Sequence, residues 1–191
     1  MKTIVPLTLR LNGADRIALL SHFLALDPED RRLRFGAAVA DEVIGQYVER
    51  LDLGRDGLFA VRDDDDGLAA VVHVAIGDST GELGLSVLPA HRGRGIGGLL
   101  FARAVDFLRN RGLSAVRVHC LAENAAMRHL ATRYRMQLTF DGSEGEGFLS
   151  LRPATPESYF REWLQDQQAA AVEILRQNAR LARLAWTLSR S

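Results

Sequence analysis

The sequence predicts an α/β domain, and three observations predict it. Short apolar strand segments are interleaved with amphipathic helical ones. A glycine-rich loop, Arg92-Gly93-Arg94-Gly95-Ile96-Gly97-Gly98, joins one such strand to one such helix. Near residue 153 a proline-punctuated break opens a long tail of helical composition.

The elements follow in order. Leu7-Thr8-Leu9-Arg10 reads as a first strand, and Asn12 or Asp15 caps a helix through Leu26 that Asp27-Pro28 punctuates. A helix from about Val39 to Leu51 gathers Val43, Ile44, Tyr47, Val48 and Leu51 on one face. Strands at 57–61 and 68–75 flank Asp63-Asp64-Asp65-Asp66-Gly67, a hairpin turn. The aspartate run is a solvated turn rather than a metal site, because consecutive turn residues point apart. Gly77-Asp78-Ser79-Thr80-Gly81 leads into a strand at 82–88, stopped by Pro89. Ile96, Leu99, Leu100, Ala104, Phe107 and Leu108 then recur at helical spacing until Gly112. A strand at 115–120, a helix opened by Asn124, and strands at 137–140 and 147–151 complete the series, the last two joined by an acidic loop, 141–146. After Pro153-Ala154-Thr155-Pro156 neither Pro nor Gly occurs through Leu188. Phe160, Trp163, Leu164, Ala171, Val172, Ile174, Leu175, Leu181, Leu184, Trp186 and Leu188 there mark one or two helices. A continuous helix of ~30 residues would be ~45 Å long. It therefore bends back, breaks, or packs against a second chain. The expected organisation is a core at 1–152 and a helical extension at 153–191.

The loop carries the chemistry. Glycines that open a helix aim backbone N–H groups and the positive dipole end at one spot, a site for phosphate. A Walker loop needs Lys-Ser/Thr after its last glycine, and the chain's one lysine is Lys2. Gly93-x-Gly95-x-x-Gly98 matches the dinucleotide fingerprint, but Arg117, Val118 and His119 stand where its acid belongs, about 20 residues on. What remains, Arg92-x-x-Gly95-x-Gly97, resembles the coenzyme A loop of the GNAT (Gcn5-related) N-acetyltransferase family.

That resemblance covers roughly residues 7–152. Glu82 stands where many members carry a catalytic glutamate, and Asn124-Ala125-Ala126-Met127-x-x-Leu130 matches the second motif of the family. Asp27-Pro28-Glu29-Asp30-Arg31-Arg32-Leu33-Arg34-Phe35 is similar to a segment of the branch that includes bacterial protein lysine acetyltransferases. The resemblance implies a mixed, mostly antiparallel twisted sheet flanked by helices. It also implies acetyl-CoA as cosubstrate and direct transfer to a primary amine, of a protein lysine or a small molecule. Glu82 becomes the candidate base. Leu85, Val87, Leu88, Arg92, Gly93, Arg94, Gly95, Ile96, Gly97, Gly98 and Asn124 become the cofactor-binding set. The strand at 85–88 is expected to splay from its neighbour, leaving a free edge for the pantetheine arm and an amide, of Val87 or a neighbour, to polarise the thioester. In the commonest form of the second motif a tyrosine, seven positions after the asparagine, protonates the leaving thiolate. Here Ala131 occupies that position, Tyr134 lies one turn further on as the candidate acid, and Arg135-Met136 replaces the usual closing Gly-Phe. The alternative in another class is a silent CoA-binding sensor.

Composition narrows the rest. At 47% hydrophobic residues and zero formal net charge, neither disorder nor bulk attraction to nucleic acid is favoured. Charge is uneven: residues 91–135 hold 9 basic and 2 acidic side chains, residues 1–90 hold 9 and 15. The basic block coincides with the cofactor half, which suits a ligand with three phosphates. No stretch approaches the ~20 apolar residues of a membrane span, and Lys2-Thr3-Ile4-Val5-Pro6 lacks a signal-peptide core. The single cysteine, Cys120, fits a reducing compartment, so the expectation is a cytoplasmic enzyme with no metal and no membrane or nucleic-acid partner. A homodimer through the C-terminal helix is a further expectation.

Overall fold

The computed structural model describes residues 6–188, without the side chains at 180, 184, 185, 187 and 188. Thr3-Ile4-Val5 and the side chains of Leu184 and Leu188 thus lie outside the described residues. The chain runs β1 (Leu9–Arg10), α1 (Arg16–Leu24), α2 (Pro28–Phe35), α3 (Asp41–Arg50), β2 (Gly57–Arg62), β3 (Leu68–Ile76), β4 (Thr80–Val87), α4 (Ile96–Asn110), β5 (Ala115–Leu121), α5 (Ala125–Arg133), β6 (Gln137–Asp141), β7 (Glu144–Ser150) and α6 (Pro156–Leu188). One sheet holds the strands in the order β1-β2-β3-β4-β5-β7-β6. Every neighbouring pair is antiparallel except β4–β5.

The apolar runs of β2 and β3 are buried on both faces. Phe59, Val61, Val72 and Val74 turn toward α4 and α5, whereas Leu58, Ala60 and Val71 turn toward α1 and α3. Alternation of side chains across a strand dictates this split, and a sheet covered on both sides needs no polar face.

Three sequence expectations change, and a fourth, the tail of one or two helices, narrows to one. The first strand shrinks to Leu9–Arg10. The Asp27-Pro28 break also starts a helix: Asp27 accepts from the Asp30 N–H, Pro28 takes the first turn, and Gly36 ends α2 in the left-handed region. The acidic loop is mostly strand, since β7 begins at Glu144 and pairs Asp141 with Glu144 across a tight turn. The tail is one unbroken helix of 33 residues, about 50 Å long.

The first half of α6 lies on α4 through polar contacts. Arg103, wholly buried, stacks 4.6 Å from the Phe59 ring centroid and reaches Gln165 and Asp166. Asn110 donates to the Ser158 carbonyl (3.0 Å), and Arg111 pairs with Glu162 (3.0 Å). Further along, Glu173 pairs with Arg62 (3.1 Å). Past that point Ile174, Leu175 and Leu181 face solvent.

His22 ties α1 to β3 and β4. It is buried, with Nδ1 bonded to the Leu68 carbonyl (2.7 Å) and Nε2 to Ser86 Oγ (2.8 Å). Desolvation lowers its pKa from 6.5 to about 4 despite the Leu68 bond. The unfolded chain therefore binds a proton near pH 6.5 that the folded chain refuses. Stability is full above pH 6.5 and falls between pH 6.5 and 4 by about 3 kcal/mol from this group. The denaturation midpoint of a His22→Gln variant should depend less on pH in that window than that of the native chain. Parallel profiles would refute the assignment.

Candidate active site

The site begins where two parallel strands part. β4 and β5 pair only at Thr80–Ala115, Gly81–Val116 and Glu82–Arg117. Beyond Glu82 they splay. Which β4 groups face the gap follows from the β3 side: the Leu88 N–H donates to the Ala69 carbonyl, and the Gly77 N–H to the Thr80 carbonyl (both 2.9 Å). Hydrogen-bonded pairs alternate along an antiparallel ladder. Even-numbered β4 residues thus spend their backbone groups on β3, and the amides of Leu85 and Val87 turn into the gap. Arg92 Nε occupies the Val87 carbonyl (3.0 Å) and its guanidinium pairs with Asp30 (2.5 Å), so this arginine braces the loop against β4 and α2.

The glycine loop closes one end of the gap. Gly93 and Gly95 have φ of +73° and +75°, and a Cβ on either would meet nothing within 4 Å. Glycine is there for the left-handed backbone, which turns the chain directly into α4. Gly95 caps that helix with no side-chain bond, and the first turn holds no acidic residue. The N–H groups of Ile96, Gly97 and Gly98 are left for an incoming acceptor, at the positive end of the helix.

Across the gap, Asn124 caps α5 by accepting from the Met127 N–H (2.9 Å), and its amide nitrogen reaches the Leu33 carbonyl of α2 (3.5 Å). Together β4, the loop, α5 and α2 enclose a cavity of about 520 Å³, within the range of small-ligand sites. Leu85, Val87, Arg92, Gly93, Gly95, Ile96, Gly97, Gly98 and Asn124 all line it. Arg34 and Arg133 join Arg92 there against one acid, Asp30, which gives the lining a basic excess, and His91 and His129 also line it. A larger recess, about 720 Å³, lies against the Asp63–Gly67 turn, and its acidic rim suits no polyphosphate.

Four predicted residues lie outside the cavity lining. Leu88 packs in the core on the α1–α3 side, its N–H spent on Ala69, because its parity turns it away from the gap. Arg94 is exposed and outside the cavity lining. Tyr134 donates its hydroxyl proton to the Gly98 carbonyl (2.7 Å), and its ring lies 4.3 Å from that of Phe101. Burial raises its pKa further, so it is an anchor for α4 and outside the cavity. Glu82 is exposed at the closed end of the splay, the last β4 residue paired with β5.

Sequence reasoning missed the face opposite the loop. His73, opposite Gly84 in the ladder, bonds through Nε2 to Asp56 (2.9 Å) and through Nδ1 to the Tyr47 hydroxyl (2.9 Å). Desolvation, opposed by Asp56, lowers the His73 pKa and keeps the ring neutral at pH 7. The Nε2–H donates to Asp56, so Nδ1 accepts from Tyr47, whose oxygen accepts in turn from Arg34 Nη2 (2.9 Å). Arg34 stands on α2 and lines the cavity.

These features coincide with a sequence match. The profile of the Acetyltransferase (GNAT) family matches residues 31–135, more than half of the chain. The chain belongs to the GNAT acetyltransferase family. This GNAT chain is 43% identical over 76 residues to a mycothiol acetyltransferase of Beutenbergia cavernae, a match covering 38% of this chain and 26% of that protein, so it spans about a quarter of the relative's length. Its fold matches the GNAT domain of S. lividans PAT, with a TM-score of 0.64 at 18% identity over 75% of this chain and 89% of the other. It also matches the spermidine N-acetyltransferase of Vibrio cholerae solved with CoA and spermine, with a TM-score of 0.59 at 18% identity over 75% and 94% of the two chains. At such identities the likeness is one of fold.

Proposed function

We propose that this protein is an acetyl-CoA-dependent N-acetyltransferase that moves the acetyl group directly to a primary amine, of a protein lysine or a small molecule. The splayed β4 edge ending on a glycine-capped helix carries the reading: it offers three loop amides and two strand amides along one basic cavity. Acetyl-CoA supplies an acetyl group already activated as a thioester. The amides of Ile96, Gly97 and Gly98 would hold the pyrophosphate, and those of Leu85 and Val87 would pair with the pantetheine arm and polarise the thioester carbonyl. Glu82 would take the proton that the amine loses as its nitrogen bonds to the acyl carbon and the C–S bond breaks. With Tyr134 committed to Gly98, the leaving sulfur takes its proton from water. Holding both reactants in line supplies ~7–11 kcal/mol of the barrier, so few catalytic side chains suffice.

Incubation with acetyl-CoA and an amine panel, read as free thiol, tests this. Amine-dependent thiol release is expected; tight CoA binding without it would make the chain a sensor instead. The cytoplasm is the proposed location, in keeping with the lone cysteine and with the lack, among the described residues, of any helix long and apolar enough to cross a membrane.

We further propose a core at 1–152 and an extension at 153–191 that supports a homodimer. The outward face of α6 shows Phe160, Trp163, Leu164, Ile174, Leu175 and Leu181 to solvent, flanked by uncharged Gln167, Gln168, Gln177 and Asn178. Trp163→Glu should halve the mass seen by light scattering and leave CoA affinity unchanged. A native chain that is monomeric at all concentrations would exclude the dimer.

A further inference from the structure

The guanidinium of Arg34 is closely held, yet among the described residues it faces no carboxylate within ion-pair distance. It lies flat on the backbone at Gly84, where a Cβ would come within 2.6 Å of three of its atoms. The rings of Phe35, Phe23 and Tyr47 surround it at 4.9, 5.5 and 5.6 Å, and cation–π attraction holds it there. Tyr47, itself fixed by His73 and Asp56, accepts from Nη2. Yet Nε is buried without a hydrogen-bond partner, and among the described residues Arg34 makes no ion pair. Of the nearby carboxylates, Asp56 is engaged by His73 and the Ile76 N–H, Asp30 by Arg92, and Glu82, further along the same face, stands more than 4.0 Å from the guanidinium. A fixed guanidinium that lacks its anion, in the wall of a cavity, suits a carboxylate that its Nη groups can reach.

Its position says which reactant brings that group. The loop amides lie beyond Val87, at the α4 end of the gap. Arg34 lies over Gly84, two residues from Glu82 on the same face of β4. We infer that Arg34 binds a carboxylate on the acceptor, and that the acceptor is an amine carrying a carboxylate, as in an amino acid, rather than a polycation. The same positive charge disfavours a second ammonium and a protonated amine beside it, which delivers the amine in its reactive, neutral form. This rests on the acetyltransferase reading and narrows it.

The test compares L-leucine with isoamylamine and L-phenylalanine with phenethylamine, pairs that differ only in the carboxylate. Native enzyme should favour each amino acid by about 10- to 100-fold in kcat/KM, the worth of a charged hydrogen bond. Arg34→Gln should erase that preference through KM of the amino acid, which loses at least about tenfold more than the plain amine does. Arg34→Lys keeps the charge without the fork, should lose part of the preference, and serves if a melting curve shows the glutamine variant unfolded. Calorimetry of N-acetyl-leucine on the CoA-loaded protein reads the same contact without turnover, and Arg34→Gln should weaken it likewise. Equal handling of each pair by native enzyme, or a preference that survives Arg34→Gln, overturns the inference. A parallel CoA titration separates the failures: no CoA binding sinks the acetyltransferase reading itself, whereas CoA binding without carboxylate discrimination sinks only the role of Arg34.

Discussion

Glu82→Gln is expected to lower kcat/KM by about 10²–10⁴-fold, the usual worth of a general base. The substitution keeps the shape and the hydrogen-bonding reach of the side chain and removes only its ability to take a proton. Glu82 is exposed, so the fold has little stake in its charge. It stands at the closed end of the splay and outside the cavity lining, so affinity for acetyl-CoA should stay within about twofold. The deficit should shrink as pH rises, because more of the amine then arrives deprotonated and needs no base. Steady-state kinetics between pH 6.5 and 9.5 check all three parts. A variant with native turnover at pH 7 would remove the base and leave positioning alone to carry the rate.

The second large effect belongs to the loop. At Gly97 a Cβ would lie 3.6 Å from Leu85 and 3.9 Å from Val87, ordinary contact distances. Gly97→Ala should therefore fold, and in a first helical turn it should gain up to ~1 kcal/mol of stability. Gly97→Trp would drive an indole along the floor of the cavity, between the loop amides and the free edge of β4. CoA affinity should fall more than about 100-fold, as expected when about 3 kcal/mol of contacts to the pyrophosphate is lost. Calorimetry on both variants, with melting curves to show that each is folded, decides it. Unchanged affinity in a folded tryptophan variant would place the cofactor elsewhere.

Much of this site could be read in the sequence because its signals are local. Gly93 and Gly95 announce a backbone that must turn sharply and open a helix, and Asn124 announces a cap. The runs of β2 and β3 announce themselves by continuous apolar character, and β4 by the alternation of Leu83, Leu85 and Val87. What escaped is what depends on distant neighbours. α2 carries its own start and stop in Asp27, Pro28 and Gly36, but its sequence is so highly charged that helical periodicity is faint. Its purpose, to cover the splay, appears only once β4 and β5 part. Leu88 belongs to the strand segment that the resemblance gives to the cofactor, but strand parity turns it to the other face. Glu144 and Glu146 read as loop because nothing nearby says that β6 and β5 will pair with them. Arg34 has no local mark at all: its site is made by the bare backbone at Gly84 and three rings from three elements.

The most direct measurement is residue-resolved amide hydrogen exchange with and without CoA. The amides of Leu85 and Val87 should slow on binding, because an added strand would occupy them, and those of Ile96, Gly97 and Gly98 should slow with them. Even-numbered β4 amides such as Ser86, already bonded to β3, should change far less. CoA binding with no protection at Leu85, Val87 and the loop, or protection centred on another surface, would contradict the account.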